Sequence, residues 1–246
     1  MLKEAIEKIE AMAAPTFKEI EGRTFCVQPG KEPVELRPEI DRQDVRRLHS
    51  LDALVKMVKT ETLEISPVEG PVYIEVPDVS AVRCFSHPSL RYRCDRLDYF
   101  EVFATDVPGW EERMALKFDE AIIALRTRFQ PTPDAEYALK LLSEITTGSK
   151  VTLNDNGIAT SITTHAGIAL QQNEAIRPIV TLKPYRTFQE VDQPASQFLI
   201  RIDERNINFI EADGGMWRLE ARKTVKEYLD EAFAEEIADG RVVVML

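Results

Sequence analysis

Apolar residues recur at two periods along this chain, every three to four residues in some stretches and every second residue in others, and the switches between them mark out its elements. Leu2, Ile6, Ile9 and Ala13 fall on one helical face, which predicts an amphipathic amino-terminal helix that Pro15 stops and that needs a surface to dock on. Ser50 directly precedes Leu51, Leu54, Val55 and Val58, an N-cap residue followed by an apolar stripe. Phe118, Ala121, Ile122, Leu125 and Phe129 predict a helix ending before Pro131, and Tyr137, Ala138, Leu141, Leu142 and Ile145 a second one that Gly148 closes. Val225, Tyr228, Leu229, Ala232, Phe233 and Ile237 share one face of a long carboxyl-terminal helix.

The period-two stretches lie between these helices. Thr24-Phe25-Cys26-Val27 and Val34-Glu35-Leu36 flank Pro29-Gly30-Lys31 and predict a first hairpin over 23–36. Val72, Ile74 and Val76 alternate with Tyr73 and Glu75, and Ala81 to Phe85 follow across a short connection, which predicts paired antiparallel strands. An extended region over 91–105 is broken by Pro108-Gly109. Asn154-Asp155-Asn156-Gly157 joins two strand-like runs, and its Asn-Gly step tolerates the positive φ values of a tight hairpin turn. Further strands are expected over 179–182, 198–202 and 207–210, with an apolar terminal strand over 241–245 able to join a sheet or a neighbouring subunit. Strands and helices come in runs and not in strict alternation. The expected class is therefore α+β, a largely antiparallel sheet packed with about five helices in a single intertwined domain, with two lobes dividing near 131–150.

Composition narrows the class without naming a chemistry. At 246 residues, 44% hydrophobic and 30% charged, the chain has enough apolar material for a large core and no apolar run long enough for a membrane helix. The start of the chain lacks the apolar stretch and small-residue cleavage site of a secretory signal, and three cysteines, Cys26, Cys84 and Cys94, do not form a disulfide framework, so a cytoplasmic protein is expected. A formal net charge of −11 repels phosphate backbones and disfavours nucleic acid as a partner.

One local exception is a basic strand near His87, in which Arg91, Arg93 and Arg96 alternate with Tyr92 and Cys94; Arg91 and Arg93 share a face, with Asp95 and Asp98 as neighbouring acidic partners. Cys84, His87 and Cys94 lack the fourth ligand and the paired spacing of a structural zinc site. His49, His87 and His165 stand far apart with no nucleophile elbow near them, and neither a P-loop nor a dinucleotide fingerprint occurs. No catalytic residue, cofactor or metal is therefore expected.

The densest polar signature lies in the last third. Arg186, Glu190, Gln193, Arg201, Glu211 and Asp213 sit among strand-forming aromatics, with Tyr185 and Trp217 as large amphipathic anchors. Three readings of these residues stand: a structural salt-bridge cluster, a subunit interface, or a ligand site in which arginines contact phosphate.

Several segments in order, Leu48-His49-Ser50-Leu51-Asp52-Ala53-Leu54-Val55, the strands of 72–85, Phe118-Asp119-Glu120-Ala121-Ile122-Ile123-Ala124-Leu125, Lys150-Val151-Thr152-Leu153 and the 198–201 strand with its following helix, resemble the YfdQ-like family of phage and prophage proteins of unknown function. Pro184 to Val191, with Gln193-Pro194 and Ser196, is similar to the version carried by phages of Gram-positive hosts. The resemblance implies an accessory protein made in the host bacterial cell, with no catalytic residues to carry over. Together these readings lead to a non-catalytic protein that self-associates into a symmetric homo-oligomer or larger particle. The alternatives are a protein that sequesters a nucleotide or host factor, and a metal-dependent nucleic-acid enzyme using clustered carboxylates.

Overall fold

The computed structural model describes residues 3–5, 8, 14–21, 23–36, 44–65, 70–88, 96–108, 113–147, 150–155, 160–166, 169–175, 177–202 and 206–246. Lys3, Glu4, Ala5 and Lys8 have helical backbone, whereas Leu2, Ile6, Ile9 and Ala13, the apolar stripe expected there, lie outside the described residues.

In chain order the strands and helices begin with β1 (Thr16–Ile20), β2 (Arg23–Val27), β3 (Val34–Leu36) and β4 (Arg46–Leu48). Helix α1 (Leu51–Met57) then runs through a π-helical turn (Val58–Thr62) into the short α2 (Leu63–Ile65). Ser50 caps α1 as its sequence position predicts, its hydroxyl accepting from the Ala53 amide at 3.1 Å. Next come β5 (Val72–Asp78), β6 (Ala81–Phe85), β7 (Asp98–Phe103), β8 (Arg113–Lys117), α3 (Phe118–Thr127), β9 (Phe129–Gln130) and α4 (Pro133–Thr147). The last group is β10 (Lys150–Asp155), β11 (Thr160–Ala166), β12 (Ala169–Ala175), β13 (Ile179–Pro184), β14 (Ser196–Ile202), β15 (Asn206–Glu211), α5 (Trp217–Ala232), α6 (Ala234–Ala238) and β16 (Val242–Met245).

The content is α+β with mostly antiparallel pairing, but the strands form four sheets and not one, accompanied by six α-helices among the described residues. Alternation shows which face of a strand is buried and not which strand lies beside it, so one sequence pattern served two separate sheets. The first five-stranded sheet, in the order β8-β15-β14-β13-β9, is antiparallel throughout. Its apolar face packs with α3 and α4 around Leu125, Leu142, Leu182, Phe198 and Phe209. Phe129, expected at the end of α3, belongs instead to β9, because the helix stops at Thr127 ahead of Pro131.

The second, in the order β16-β5-β6-β7-β4, is antiparallel at its centre and parallel at both edges. Val72, Ile74 and Val76 point into a core shared with Leu54 of α1 and with Val225 and Leu229 of α5. The apolar terminal strand, expected to join a sheet or a neighbouring subunit, joins a sheet of its own chain: Val242 to Met245 lie beside Val72 to Glu75. Parallel addition to β5 lets Val242 fill this core.

Two antiparallel three-stranded sheets, β1-β2-β3 and β10-β11-β12, stand apart from both five-stranded ones, and no residue of β1, β2 or β3 belongs to either core. The expected hairpins over 23–36 and 151–164 are parts of these sheets, with 156–159 outside the described residues. The segment 131–150, where sequence suggested a division between lobes, is largely α4, which packs in the first core. β7 belongs to the second sheet and β8 to the first, β15 to the first and α5 to the second core, and the connection between β13 and β14 lends Phe188 and Val191 to the second core while both of its flanking strands belong to the first.

Candidate functional site

That connection carries Arg186, Glu190 and Gln193, half of the polar residues singled out in the last third of the sequence. Pro184 ends β13, and the Tyr185 amide donates to the Arg128 carbonyl at 2.9 Å. The chain then closes on one side chain. The amides of Arg186 and Thr187 donate to Gln193 Oε1 at 2.9 and 3.2 Å, and Gln193 Nε2 donates to the carbonyls of Phe188 and Val191 at 2.9 and 3.3 Å. Gln193 is 1% exposed, so one buried amide satisfies four backbone groups of a loop that has no strand partner to do so. The Thr187 hydroxyl donates to the Val79 carbonyl at 2.5 Å and fixes the loop to the turn between β5 and β6.

The Arg186 guanidinium turns inward at the meeting point of the cores and is 6% exposed. Its Nη1 donates to Glu211 Oε1 in an ion pair and lies 3.2 Å from Ser196 Oγ. The hairpin register explains how Glu211 arrives there: it sits opposite Phe198, and cross-strand partners share a face, so an acidic side chain ends the buried row of β15. Arg186 Cζ also lies 4.4 Å from the centroid of Trp217 and 5.4 Å from that of Phe198, while Arg218 Cζ lies 4.9 Å from Trp217. Trp217 begins α5 after a turn in which Gly214 and Gly215 take φ of 65° and 78°. Asp213 Oδ1 accepts from the Gly215 amide at 2.9 Å and closes that turn.

Burial holds the Arg186 pKa below its ordinary value, against the opposing pull of Glu211 and Asp213, and nearby Arg218 lowers it further. Two arginines and two carboxylates balance in this polar island, in which Arg186 is buried, Glu211 and Asp213 are half-buried and Arg218 is exposed. The phosphate contact expected of Arg186 does not fit this geometry. Its charge is enclosed and already met by Glu211, which leaves no exposed face for an anionic ligand.

The structure thus brings together Arg186, Gln193, Glu211, Asp213 and Trp217. Glu190 serves a different place: its Oε1 accepts from the Leu51 amide at 2.8 Å, at the start of α1, where Tyr228 donates its hydroxyl proton to Asp52. Arg201 is on the face of β14 opposite Ser196, Phe198 and Ile200, so the strand directs it away from Arg186. Tyr185 is half-buried at the head of the loop.

Of the basic strand, Arg91 and Arg93 lie outside the described residues. Arg96 stacks on Phe85 and Tyr73, its Cζ 4.9 and 5.8 Å from their centroids, and Tyr73 Oη lies 3.2 Å from His87 Nδ1. Among the described residues no three His, Cys, Asp or Glu side chains converge on a metal position, and Cys84 is a core residue whose thiol pKa burial pushes up.

Sequence reasoning missed Ser196, Phe198 and Arg218 as parts of the site, and Phe188 and Val191 as core. Extending the expected 198–210 hairpin by one pair would have set Glu211 opposite Phe198. No spacing rule reaches the others, because their neighbours lie on separate elements. No protein-family profile, curated protein or solved structure matches the chain in comparisons with known proteins.

Proposed function

We propose that the protein is a non-catalytic phage or prophage accessory protein that acts by associating with further copies of itself. The observation that carries self-association is the β1-β2-β3 sheet. Phe17 pairs across to Cys26 and Cys26 to Val34, so one face presents an apolar row, flanked by Leu36 on the same face. Phe17 and Val34 are 65% and 61% exposed, and Ile20 stands open on the opposite face. A three-stranded sheet holds its shape in water when an apolar face is covered, and neither core of the chain covers this one.

A second copy is the occupant that electrostatics favours. Between residues 16 and 36 the bases Lys18, Arg23 and Lys31 meet the acids Glu19, Glu21, Glu32 and Glu35, a net of −1, which leaves −10 of the chain's −11 elsewhere. Two such molecules repel least where their near-neutral sheets meet, and among the described residues β1 and β3 are the edge strands of this sheet. The phage origin rests on the resemblance of the 48–55, 72–85, 118–125, 150–153 and 198–201 segments to the YfdQ-like family. Among the described residues the metal-dependent reading has no ligand set, and the sequestering reading has no exposed arginine cluster around Arg186 to support it.

Light scattering coupled to size exclusion tests the proposal. A defined multiple of 28.0 kDa is expected, falling to one chain in the Phe17→Lys/Val34→Lys double variant with circular dichroism unchanged. A wild-type monomer at micromolar concentration overturns it.

A further inference from the structure

Three polar atoms in the Arg186 island are enclosed yet meet no described hydrogen-bonding group: Arg186 Nε, Trp217 Nε1 and Asp213 Oδ2. Arg186 and Trp217 are each more than nine-tenths buried, at 6% and 9% exposure. They lie against one another, with Arg186 Cζ 4.4 Å from the Trp217 ring, and the Asp213 charge acts directly on the same guanidinium. Buried donors and acceptors are almost always satisfied, and three exceptions at one place call for a common partner.

We infer that this junction binds one ordered water molecule, which joins the β13–β14 connection to the first turn of α5. The chemistry of the three atoms specifies the guest. Two of them donate and one accepts, and a water accepts twice while still donating. Arg186 and Arg218 balance Glu211 and Asp213, so an ion of either sign would add an unmatched charge. All three atoms are enclosed, and a buried water with about three polar partners is a common structural element. The bridge would fasten the two cores where the chain crosses between them.

A high-resolution crystal structure of the full chain and an NMR measurement test this together. Density for a water at about 2.7–3.2 Å from at least two of the three atoms is expected. In solution the indole N–H of Trp217 should show a rotating-frame cross-peak to a long-lived water; of the chain's two tryptophans, Trp110 and Trp217, the Trp217→Phe variant identifies the signal. A protein carbonyl or side chain bonded to these atoms, an ion in the density, or an indole N–H without a water cross-peak overturns the inference.

Discussion

Arg186 lies over the indole of Trp217 at 4.4 Å while its Nη1 grips the Glu211 carboxylate, so one side chain joins the end of β15 to the start of α5. Both ends of this contact are buried, with side-chain exposures of 3% for Arg186 and 7% for Glu211. A charge pair in that position gives little net stability when intact, yet removing one partner strands the other in an apolar setting. Glu211→Gln is expected to destabilise the protein by about 3–5 kcal/mol. The Arg186→Met/Glu211→Leu double variant should recover most of that loss. Urea unfolding of the two variants checks both values.

Gln193 gives a sharper case, because a change of a single atom type reverses its chemistry. Its Nε2 donates to the Phe188 and Val191 carbonyls, and Gln193→Glu replaces that donor with an oxygen facing two acceptors. The isosteric variant should therefore lose on the order of 3 kcal/mol near neutral pH, as two buried carbonyls lose their donor. Part of the loss should return in acid, where a protonated carboxyl donates one bond. Gln193→Ala should be about as damaging but indifferent to pH in this range. Unfolding midpoints at pH 4.5 and 7.5 separate the two.

These residues also mark how far the sequence could be read. Helical and alternating periods located α1, α3, α4, α5 and most long strands, because burial of one face is written into local spacing. Short strands such as β4 and β9 escaped, since three and two residues leave too little pattern to read. Arg186, Gln193, Glu211 and Asp213 are visible in the sequence as polar residues among strand-forming aromatics, and Trp217 as a large amphipathic anchor. That Glu190 and Arg201 depart from them follows from the path of the loop and the face of β14, which depend on partners far along the chain. Val242 to Met245 read as a strand without a partner for the same reason: nothing local names β5.

The start of α1 should titrate late. Burial, the hydrogen bond to Asp52 and the charges of Asp52 and Glu190 all push the Tyr228 pKa above its ordinary value. A group whose folded pKa is raised contributes stability below its unfolded value and loses it as pH climbs through the folded one. The native state should therefore lose stability above about pH 10, where the unfolded phenol ionises and the folded one does not. Tyrosinate absorbance should show a late step for Tyr228, and Tyr228→Phe should remove both that step and its share of the alkaline loss.

At the turn before α5, Gly215 has φ of 78° and an added Cβ would come within 2.5 Å of Arg218 Nη1, whereas Gly214 has φ of 65° and open space around it. Each alanine substitution should cost about 1–2 kcal/mol for the left-handed backbone. Only Gly215→Ala should also displace Arg218 from the Trp217 ring. A change in the Trp217 fluorescence maximum in that variant, absent from Gly214→Ala, distinguishes the contributions.

Cysteine reactivity offers an internal probe of self-association. Cys84 is buried in the second core and burial raises its thiol pKa, so alkylation there should require global unfolding at every protein concentration. Cys26 sits half-buried between Phe17 and Val34 on the apolar row of the amino-terminal sheet. If copies meet through that row, its labelling should slow as concentration rises, because mass action populates the covered state. Peptide mass spectrometry after timed iodoacetamide treatment reads both sites in one sample. A Cys26 rate that tracks the oligomer fraction in the wild type, and becomes concentration-independent in Phe17→Lys/Val34→Lys, would place the contact on this face. A concentration-independent rate in an assembled wild type would move the interface to another surface while leaving assembly itself intact.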